Sequence, residues 1–249
     1  MLVLLPPSEG KAPGGDGPPL DLTSLSFPTL TSTRKALVRD VVRLAKHKKR
    51  AFSAALGLGA GQQQELVRNA ELLTAGTLPA LELYTGIVYD NLSYATLSRA
   101  ARHRADESLI VASALFGLLR PQDRVPPYRL SGGTVLPGLG GLAHRWRPVL
   151  EPLLAEDFVV DLRSGAYANL ARVPGACEVR VLRDDLGTRT VVSHDNKWTK
   201  GRLARALCEH GAESVADVAE IGRSVCDAVE VEDHRVDLLL HGLASSRAR

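Results

Sequence analysis

Leu2-Val3-Leu4-Leu5 stands at the start of the chain and leads directly into Pro6-Pro7-Ser8-Glu9-Gly10-Lys11. Four consecutive apolar residues that end at two prolines are typical of a short buried strand followed by a loop. Similar apolar or β-branched runs, each bounded by proline, glycine or charge, predict further strands at residues 109–112, 158–162, 178–182 and 190–193. The sequence therefore predicts a sheet of short buried strands with polar loops at the strand ends.

Helical patterns lie between these strands. The clearest covers residues 34–50, with possible capping residues at 31–33. Others cover residues 62–74, 92–104, 143–155, 199–210, 214–222 and a final stretch near 233–243. Interleaved strands and helices favour an α/β or α+β fold over an all-α or all-β fold. The glycine-containing segments 12–31 and 131–141 are predicted to be loops.

Composition excludes several protein classes. The 249 residues are 45% apolar and 24% charged, which is enough to bury a sizeable core and is unlike collagen, a coiled coil or a membrane protein. The three cysteines, Cys177, Cys208 and Cys226, are too few and too widely spaced for a disulfide framework or a zinc ribbon. We expect a protein of the reducing cytoplasm, with no signal peptide and no metal site.

Charge is distributed unevenly along the chain. Residues 34–50 hold eight basic residues and one acidic residue, whereas residues 212–237 hold eight acidic residues and two arginines. On a helix, Leu37, Val41 and Leu44 would face the core, and the opposite face would carry a basic stripe of Lys35, Arg39, Arg43, Lys46 and Arg50. Such a stripe suits a phosphate backbone, because each neutralised phosphate releases a counterion. A solvated surface helix without a partner is the equally weighted alternative.

A glycine-rich turn follows the basic stripe. Leu56-Gly57-Leu58-Gly59-Ala60-Gly61 leads into a second helical pattern. Glycines there would let backbone N–H groups approach a phosphate, and the N-terminus of the second helix would add its positive dipole end. The order predicts a helix-hairpin-helix element that holds nucleic acid without reading bases. An ordinary glycine stop of the first helix is the alternative.

Several loops carry groups suited to anion binding. Ser8 and Lys11 follow the first strand, where open sheets place ligands, although the loop lacks the glycine and the hydroxyl of a Walker A motif. Arg120 and Arg129 are each fixed beside prolines and suit bidentate capture of a carboxylate or phosphate. Structural salt bridges with Asp123 are the alternative for both arginines.

Two later segments add polar groups. Ser164 and Tyr167 follow the strand predicted at 158–162. Lys197 and Lys200 stand at the predicted start of the helix at 199–210, where cations oppose the helix dipole. Residues that break such a local rule are more often functional.

Six motifs occur in a familiar order. They are Pro-Ser-Glu-Gly-Lys at residues 7–11, Tyr-Thr-Gly-Ile-Val-Tyr at 84–89, the segment 116–123, Pro-Tyr-Arg-Leu at 127–130, the segment 158–167 and Lys-x-x-Lys-Gly-x-x-x-Arg at 197–205. Because of these six motifs and their order, the chain resembles the YaaA family of bacterial peroxide-stress proteins, in its Ser-Glu-Gly-Lys branch, over about residues 1–207. Ala166 departs from the family pattern, which has an acid there, so a general base is missing at this position.

The resemblance implies a single-domain mixed α/β (α+β) fold with a central mixed sheet flanked by helices, a helix-hairpin-helix element and a basic cleft. We assign this domain to residues 1–243 and expect a disordered tail at 244–249, because chain termini are often poorly ordered. The resemblance also implies a cytoplasmic protein that binds DNA and limits iron-driven peroxide damage. The basic stripe and the implied helix-hairpin-helix element together give a set of expected DNA-binding residues: Arg39, Arg43, Lys46, Lys49, Arg50, Gly57 and Gly59. The implied cleft residues are Ser8, Lys11, Tyr89, Arg120, Tyr128, Arg129, Ser164, Tyr167, Lys197, Lys200 and Arg205.

Three functional interpretations stay open at this point. The first is a stress protein that binds the DNA backbone. The second is an enzyme for a small anionic or nucleotide-like substrate, with Ser8, Lys11, Tyr128 and Lys197 as catalytic residues, because this mixture of hydroxyls, phenols and cations suggests shaped recognition. The third is a protein whose motifs only maintain the fold. We expect no cofactor, no metal and no membrane partner, and the sequence leaves the oligomeric state open.

Overall fold

Strands and helices alternate along most of the chain. A computed structural model describes residues 1–155, 157–185, 188–191 and 193–241. The strands are β1 (Leu2–Leu5), β2 (Leu78–Pro79), β3 (Leu109–Ser113), β4 (Gly117–Leu119), β5 (Arg124–Val125), β6 (Val135–Leu136), β7 (Gly140–Gly141), β8 (Val159–Asp161), β9 (Cys177–Asp185), β10 (Thr188–Thr190), β11 (Ala228–Glu232) and β12 (Arg235–His241). The α-helices are α1 (Thr31–His47), α2 (Lys49–Ala55), α3 (Gln64–Ala70), α4 (Ala80–Leu83), α5 (Ile87–Leu92), α6 (Arg99–Ser108), α7 (Ala143–Leu154), α8 (Gly165–Ala168), α9 (Ser193–His210) and α10 (Val215–Gly222).

One mixed sheet occupies the centre, in the order β11-β12-β9-β8-β1-β3-β4. The inner strands from β12 to β3 run parallel, whereas β11 and β4 are antiparallel to their neighbours. Leu4 of β1 pairs with Ile110 on one side and with Asp161 on the other, and all of β1 is buried. Parallel strands covered on both faces are continuous apolar runs, which is why residues 2–5 predicted a strand. The predicted central mixed sheet flanked by helices is confirmed.

The direction of the chain connections reverses between β1 and β8. The chain that follows β1 leads to β3 on one side, whereas the chain that follows β8 leads to β9 on the other side. The two connections therefore diverge at the carboxyl edge of the sheet and leave a crevice, which is where open α/β sheets bind ligands. Residues 6–11 and 162–167 border this crevice.

Four predicted strands are confirmed as β1, β3, β8 and β9. The strand predicted at 190–193 ends at Thr190 instead, α9 begins at Ser193, and residue 192 lies outside the described residues. The helix predicted near 233–243 is wrong, since Arg235–His241 is β12, and residues 242–249 lie outside the described residues. Val236 and Leu238 are buried in a strand paired on both sides, and a fully buried strand lacks the alternation that separates it from a helix.

Three helix predictions need correction. The helix predicted at 34–50 divides into α1 and α2 at Lys48, whose φ of −130° and ψ of 40° are not helical. The helix predicted at 92–104 begins later, because Ser93 has a left-handed φ of 46° and α6 starts only at Arg99. The patterns at 62–74, 143–155 and 214–222 correspond to α3, α7 and α10. The helix predicted at 199–210 begins earlier, because α9 starts at Ser193, and Lys197 and Lys200 therefore lie inside it and not at its start.

A buried arginine of α1 holds this helix against the edge strand β4. Arg34 is fully buried, and its guanidinium donates from Nε to the Phe116 carbonyl (2.9 Å) and from Nη2 to the Leu118 carbonyl (2.7 Å). Gly117, between these residues, has a φ of +75°, and a Cβ there would lie 2.7 Å from the ring of Trp146. These contacts fix α1 against the sheet and leave its other Lys and Arg residues on the outside.

Candidate functional site

Lys11 lies at the carboxyl edge of the sheet, in the loop that follows β1. Its backbone forms an isolated bridge with Tyr84, so the two side chains lie on one side. The ammonium donates to the Ser8 carbonyl (3.0 Å) and lies 4.4 Å from the ring centre of Tyr128 and 5.3 Å from that of Tyr84. Two aromatic faces and a carbonyl therefore surround this cation.

The surroundings of Lys11 make its ammonium less stable than in water. Burial, together with the nearby Arg129, lowers its pKa from 10.5 to about 8, although Glu65 and Glu9 partly oppose the shift. At pH 7 about one molecule in ten would carry the neutral amine. A half-buried lysine of this kind can act as a cation or, once deprotonated, as a base or nucleophile.

A buried chain of hydroxyls supports the aromatic rings. The Tyr128 hydroxyl is hydrogen-bonded to the Tyr84 hydroxyl (2.8 Å) and to Ser113 Oγ (2.7 Å), and Ser113 Oγ accepts the Phe116 N–H (2.9 Å). Burial raises the pKa of Tyr84 and of Tyr128, so both phenols stay neutral at physiological pH. Sequence reasoning missed Ser113; its only signal is a polar residue at the end of an apolar strand.

Arg129 faces the same loop. Its Nη1 pairs with Glu9 Oε2 (3.2 Å), so the alternative of a salt bridge with Asp123 is wrong. Its backbone is fixed by the buried Asn69, which accepts the Arg129 N–H (2.9 Å) and donates to the Arg129 carbonyl (2.8 Å). Sequence reasoning also missed Asn69, because its partner is sixty residues away.

Ser8, Tyr89 and Tyr167 complete this group. Ser8 Oγ accepts the Thr85 N–H (3.1 Å), and the Tyr89 hydroxyl donates to the Pro6 carbonyl (2.9 Å). Tyr167 is close enough to Glu9 and Arg129 for their charges to affect it, and burial raises its pKa to about 12. The fold thus brings together six predicted residues, which with Tyr84 we name the Lys11 cluster: Ser8, Lys11, Tyr84, Tyr89, Tyr128, Arg129 and Tyr167.

Ser164 and Lys200 line a separate cavity of about 610 Å³. The cavity lies beyond the end of β8, between the turn that contains α8 and the first half of α9. Tyr167 of that turn belongs to the Lys11 cluster, whereas Ser164, Gly165 and Ala168 line the cavity. The turn therefore separates two groups of residues that the sequence placed in one cleft.

Lys197 lies in α9 and is exposed. Gly201 of α9 packs so closely on α5 that an added Cβ would lie 2.4 Å from the Val88 carbonyl. Lys197 lies one turn before Gly201 in α9. Among the described residues no hydrogen bond or ion pair joins Lys197 to the Lys11 cluster, so its place in the cleft stays a prediction.

Arg205 is used in the fold. Its Nη1 donates to the carbonyls of Leu92 (3.3 Å) and Ser93 (3.2 Å) and to Thr96 Oγ1 (2.9 Å). Its Nε pairs with Glu209 (2.9 Å). Arg205 therefore satisfies the carbonyls at the C-terminal end of α5, and none of these contacts joins it to the Lys11 cluster.

Arg120 is directed away from the Lys11 cluster. Because β4 is antiparallel to β3, Leu119 pairs with Val111 and the chain continues toward the amino end of β3. There Arg120 Nη1 donates to the Glu107 carbonyl, and its backbone N–H donates to Asp123 Oδ2 (2.9 Å). The prediction that Arg120 joins Lys11 is wrong, since the direction of β4 is not visible in the sequence.

A cationic surface covers α1 and α2 on the side away from the core. We name it the basic face; its residues are all exposed and are Lys35, Arg39, Arg43, Lys46, Lys48, Lys49 and Arg50. Leu37, Val41 and Leu44 are buried on the opposite side, as predicted. Asp40, the acidic residue of α1, pairs with Arg145 of α7 (2.8 Å) as well as with Arg43 (3.3 Å). The basic face therefore keeps nearly all its positive charge.

The glycine turn after α2 uses its N–H groups internally. The Gly57 N–H donates to the Ala54 carbonyl (3.0 Å), and the Leu58 N–H donates to the Ser53 carbonyl (3.0 Å). The Gly59 N–H donates to the Gln62 side chain (3.1 Å). Two helices of seven residues flank the turn, and the amides of Gly57, Leu58 and Gly59 are occupied inside it, so the predicted phosphate contact of this turn stays a prediction.

Comparison with known proteins identifies the family. The family model described as peroxide stress protein YaaA matches residues 1–225, which include the Lys11 cluster and the basic face. The chain belongs to the YaaA family. It is 46% identical over 243 residues to a UPF0246 protein of Streptomyces coelicolor, covering 93% of each chain. It is 44% identical over 250 residues to a UPF0246 protein of Corynebacterium efficiens, covering 96% of this chain and 98% of the relative.

Membership of the YaaA family supports a role in the peroxide stress response. Burial raises the pKa of both Cys177 and Cys208 to about 12, and it also raises the pKa of Cys226. These thiols are therefore protonated at neutral pH, and a thiol is a poor nucleophile toward peroxide. Among the described residues, no group of three or more His, Cys, Asp or Glu side chains could hold a metal ion, and no helix could span a membrane.

Proposed function

We propose that this YaaA-family protein acts in the peroxide stress response by binding the DNA backbone through the basic face, in the cytoplasm. The observation that supports the proposal best is the charge of this face, where seven exposed cations stand against one carboxylate, Asp40, whose charge Arg145 helps to neutralise. Each cation that neutralises a phosphate releases a condensed counterion, and this gain does not depend on base sequence.

In this proposal the contacts come mainly from side chains. Lys46 at the end of α1 and Lys49 and Arg50 at the start of α2 lie on both sides of the bend at Lys48. Long flexible cations on both sides of a bend can reach successive phosphates. The Gly59 N–H is held by a side chain, Gln62, so a phosphate could replace that contact and restore the helix-hairpin-helix role.

The same binding would limit iron-driven damage. Ferrous iron that is condensed on DNA reacts with peroxide beside the bases and sugars. A protein that neutralises phosphates displaces condensed cations, ferrous iron included. Protection would then need neither a reactive thiol nor an iron site in the protein.

Salt-dependent binding of duplex DNA, followed by fluorescence anisotropy, tests this proposal. We expect the triple variant Lys46→Ala/Lys49→Ala/Arg50→Ala to bind more weakly on every sequence. The slope of log affinity against log salt should fall by about 3, because each lost phosphate contact removes about 0.9.

The control variant removes the same charge elsewhere. Arg99, Arg172 and Arg223 are exposed and lie outside the basic face, so the triple alanine variant at these positions should keep the wild-type slope. Equal losses in both triple variants would show only a net-charge effect. No binding by wild type at low salt would overturn the proposal.

A second candidate function is supported by the Lys11 cluster. A half-buried lysine with a pKa near 8, next to Arg129 and at the crevice where the chain connections diverge, is the arrangement of an enzyme site for a small anionic or nucleotide-like substrate. In this case Lys11 would be the base or nucleophile, Arg129 would bind the anion, and Ser8, Tyr128 and Lys197 would complete the site.

Native mass spectrometry of the purified chain tests the second candidate. We expect a bound small molecule that is lost in Lys11→Ala and retained in Lys35→Ala, which removes an exposed lysine of the basic face. Stress protection that survives Lys11→Ala in cells, together with no bound molecule in wild type, would exclude it.

A further inference from the structure

The sheet has a gap beside β9. β8 pairs with β9 only at Cys177 and Glu178, and β10 pairs with β9 only from Arg183 onward. Among the described residues, Val179 to Leu182 therefore have no strand neighbour on that side. The cavity of about 610 Å³ opens at this gap, and its lining includes Ser164, Arg172, Val179, Val181, Asn196 and Lys200.

Lys200 is a buried cation at this cavity. Its exposed fraction is 8%, and its ammonium donates to the Leu162 carbonyl (3.1 Å). In the part of the chain that the structure describes, no carboxylate lies within 4.0 Å of its nitrogen. The nearest acidic neighbour along β8, Asp161, is held by Arg163 through Nε (2.9 Å) and Nη2 (2.7 Å).

An ammonium in this position lacks a counter-charge. A buried charge is costly unless it is paired and hydrogen-bonded, and Lys200 has three donors but one acceptor among the described residues. Burial lowers the pKa of Lys200, whereas Asp161 and Glu178 partly oppose the shift. A bound anion would use the remaining donors and supply the missing charge.

The walls of the cavity indicate the kind of anion. Val173, Val179 and Val181 give it apolar surface, and Asn196 adds an amide beside Lys200. Arg163 and Arg180 also line the cavity, but they are paired with Asp161 and Asp237. Lys200 and Arg172 set against the carboxylate of Glu178 therefore leave one net positive charge, which suits a single negative charge better than a doubly charged phosphate. The volume is in the range of pockets that enclose small organic ligands.

We propose that this cavity binds a small organic monocarboxylate, with its carboxylate on Lys200 and Asn196 and its apolar body against the valines. The site is separate from the Lys11 cluster, since the turn at 164–168 lies between them. The proposed site also does not involve the basic face, so the outcome of its test is independent of the function proposed above.

Binding of benzoate and butyrate to the full chain, measured by calorimetry and ligand-observed NMR, tests the proposal. Benzamide and butyramide are the neutral controls, and inorganic phosphate tests the choice of anion. We expect saturable binding of at least one carboxylate, and Lys200→Met should weaken it about ten- to a hundredfold, as expected for the loss of a charge-assisted hydrogen bond.

Further variants test whether the loss of binding is specific to this site. Arg223→Met removes an exposed cation that belongs neither to this cavity nor to the Lys11 cluster, and it should leave carboxylate binding unchanged. If Lys200→Met does not fold, Asn196→Leu provides the test at a half-buried position and should also weaken binding. Lys200→Arg should retain part of the affinity.

Four results would overturn the proposal. They are equal binding of acid and amide, unchanged affinity in both Lys200→Met and Asn196→Leu, binding of phosphate in preference to carboxylates, and no saturable binding of either carboxylate by wild type.

Discussion

Replacing Lys11 with methionine should stabilise the protein at neutral pH. Methionine has a similar length, so Lys11→Met removes the charge while it keeps most of the packing against Tyr84 and Tyr128. A fall in the pKa from 10.5 to about 8 means that the folded state disfavours the ammonium by about 3 kcal/mol at pH 7. The two contacts with aromatic rings offset part of the gain from removing the charge. We expect a net gain of about 1 to 2 kcal/mol at pH 7.

The pH dependence of the unfolding free energy tests this prediction more stringently than its value at pH 7. Between pH 8 and 10.5 the unfolded chain holds a proton on Lys11 that the folded protein has lost, so wild-type stability rises with pH in this window. The Lys11→Met variant lacks this pH-dependent contribution to the free energy of unfolding. The difference in unfolding free energy between variant and wild type should therefore shrink by about 2 kcal/mol from pH 7 to 9.5.

Urea unfolding at several pH values measures this difference directly. Lys35→Met, which changes an exposed lysine in the same way, should show a difference from wild type that hardly varies with pH. A Lys11→Met difference that is constant from pH 7 to 9.5 would refute the reasoning, because Lys11 would then titrate like a lysine in water.

Three further outcomes are expected from the contacts described above. Arg34→Met should lower the unfolding free energy by about 3 kcal/mol or more in urea unfolding, because the buried carbonyls of β4 lose their donors; a loss below 1 kcal/mol would contradict this. Gly117→Ala should lower the melting temperature, because the φ of +75° is strained and the new methyl meets Trp146 at 2.7 Å; an unchanged melting temperature would contradict it. Cys177 and Cys208 should react with a thiol reagent only after unfolding, because burial keeps them protonated; rapid labelling of the folded protein would contradict it.

Local sequence patterns predicted much of the central sheet and the Lys11 loop. β1, β3 and β8 are short apolar runs with polar boundaries, and a run of this kind has few other stable arrangements. Once β1 is recognised, the loop that follows it lies at the carboxyl edge. Ser8 and Lys11 could therefore be placed at a ligand-binding edge from the sequence alone.

The errors come from properties that involve distant parts of the chain. Arg120 follows a strand like any other, but β4 runs antiparallel and carries it away from the carboxyl edge. Lys200 and Lys11 are both cations near strand ends, but the turn with α8 separates them. Asn69 became a partner of Arg129 only through folding. Strand direction and long-range pairing are not encoded in local periodicity.

Plasmid nicking by ferrous iron and peroxide tests the central claim most directly. If the basic face protects DNA by covering phosphates, wild-type protein at low salt should keep supercoiled plasmid intact, and Lys46→Ala/Lys49→Ala/Arg50→Ala should protect several-fold less at the same concentration. The matched variant Arg99→Ala/Arg172→Ala/Arg223→Ala should protect as well as wild type. Equal protection by the two triple variants, or nicking unchanged by wild type that is bound to the plasmid, would contradict the account.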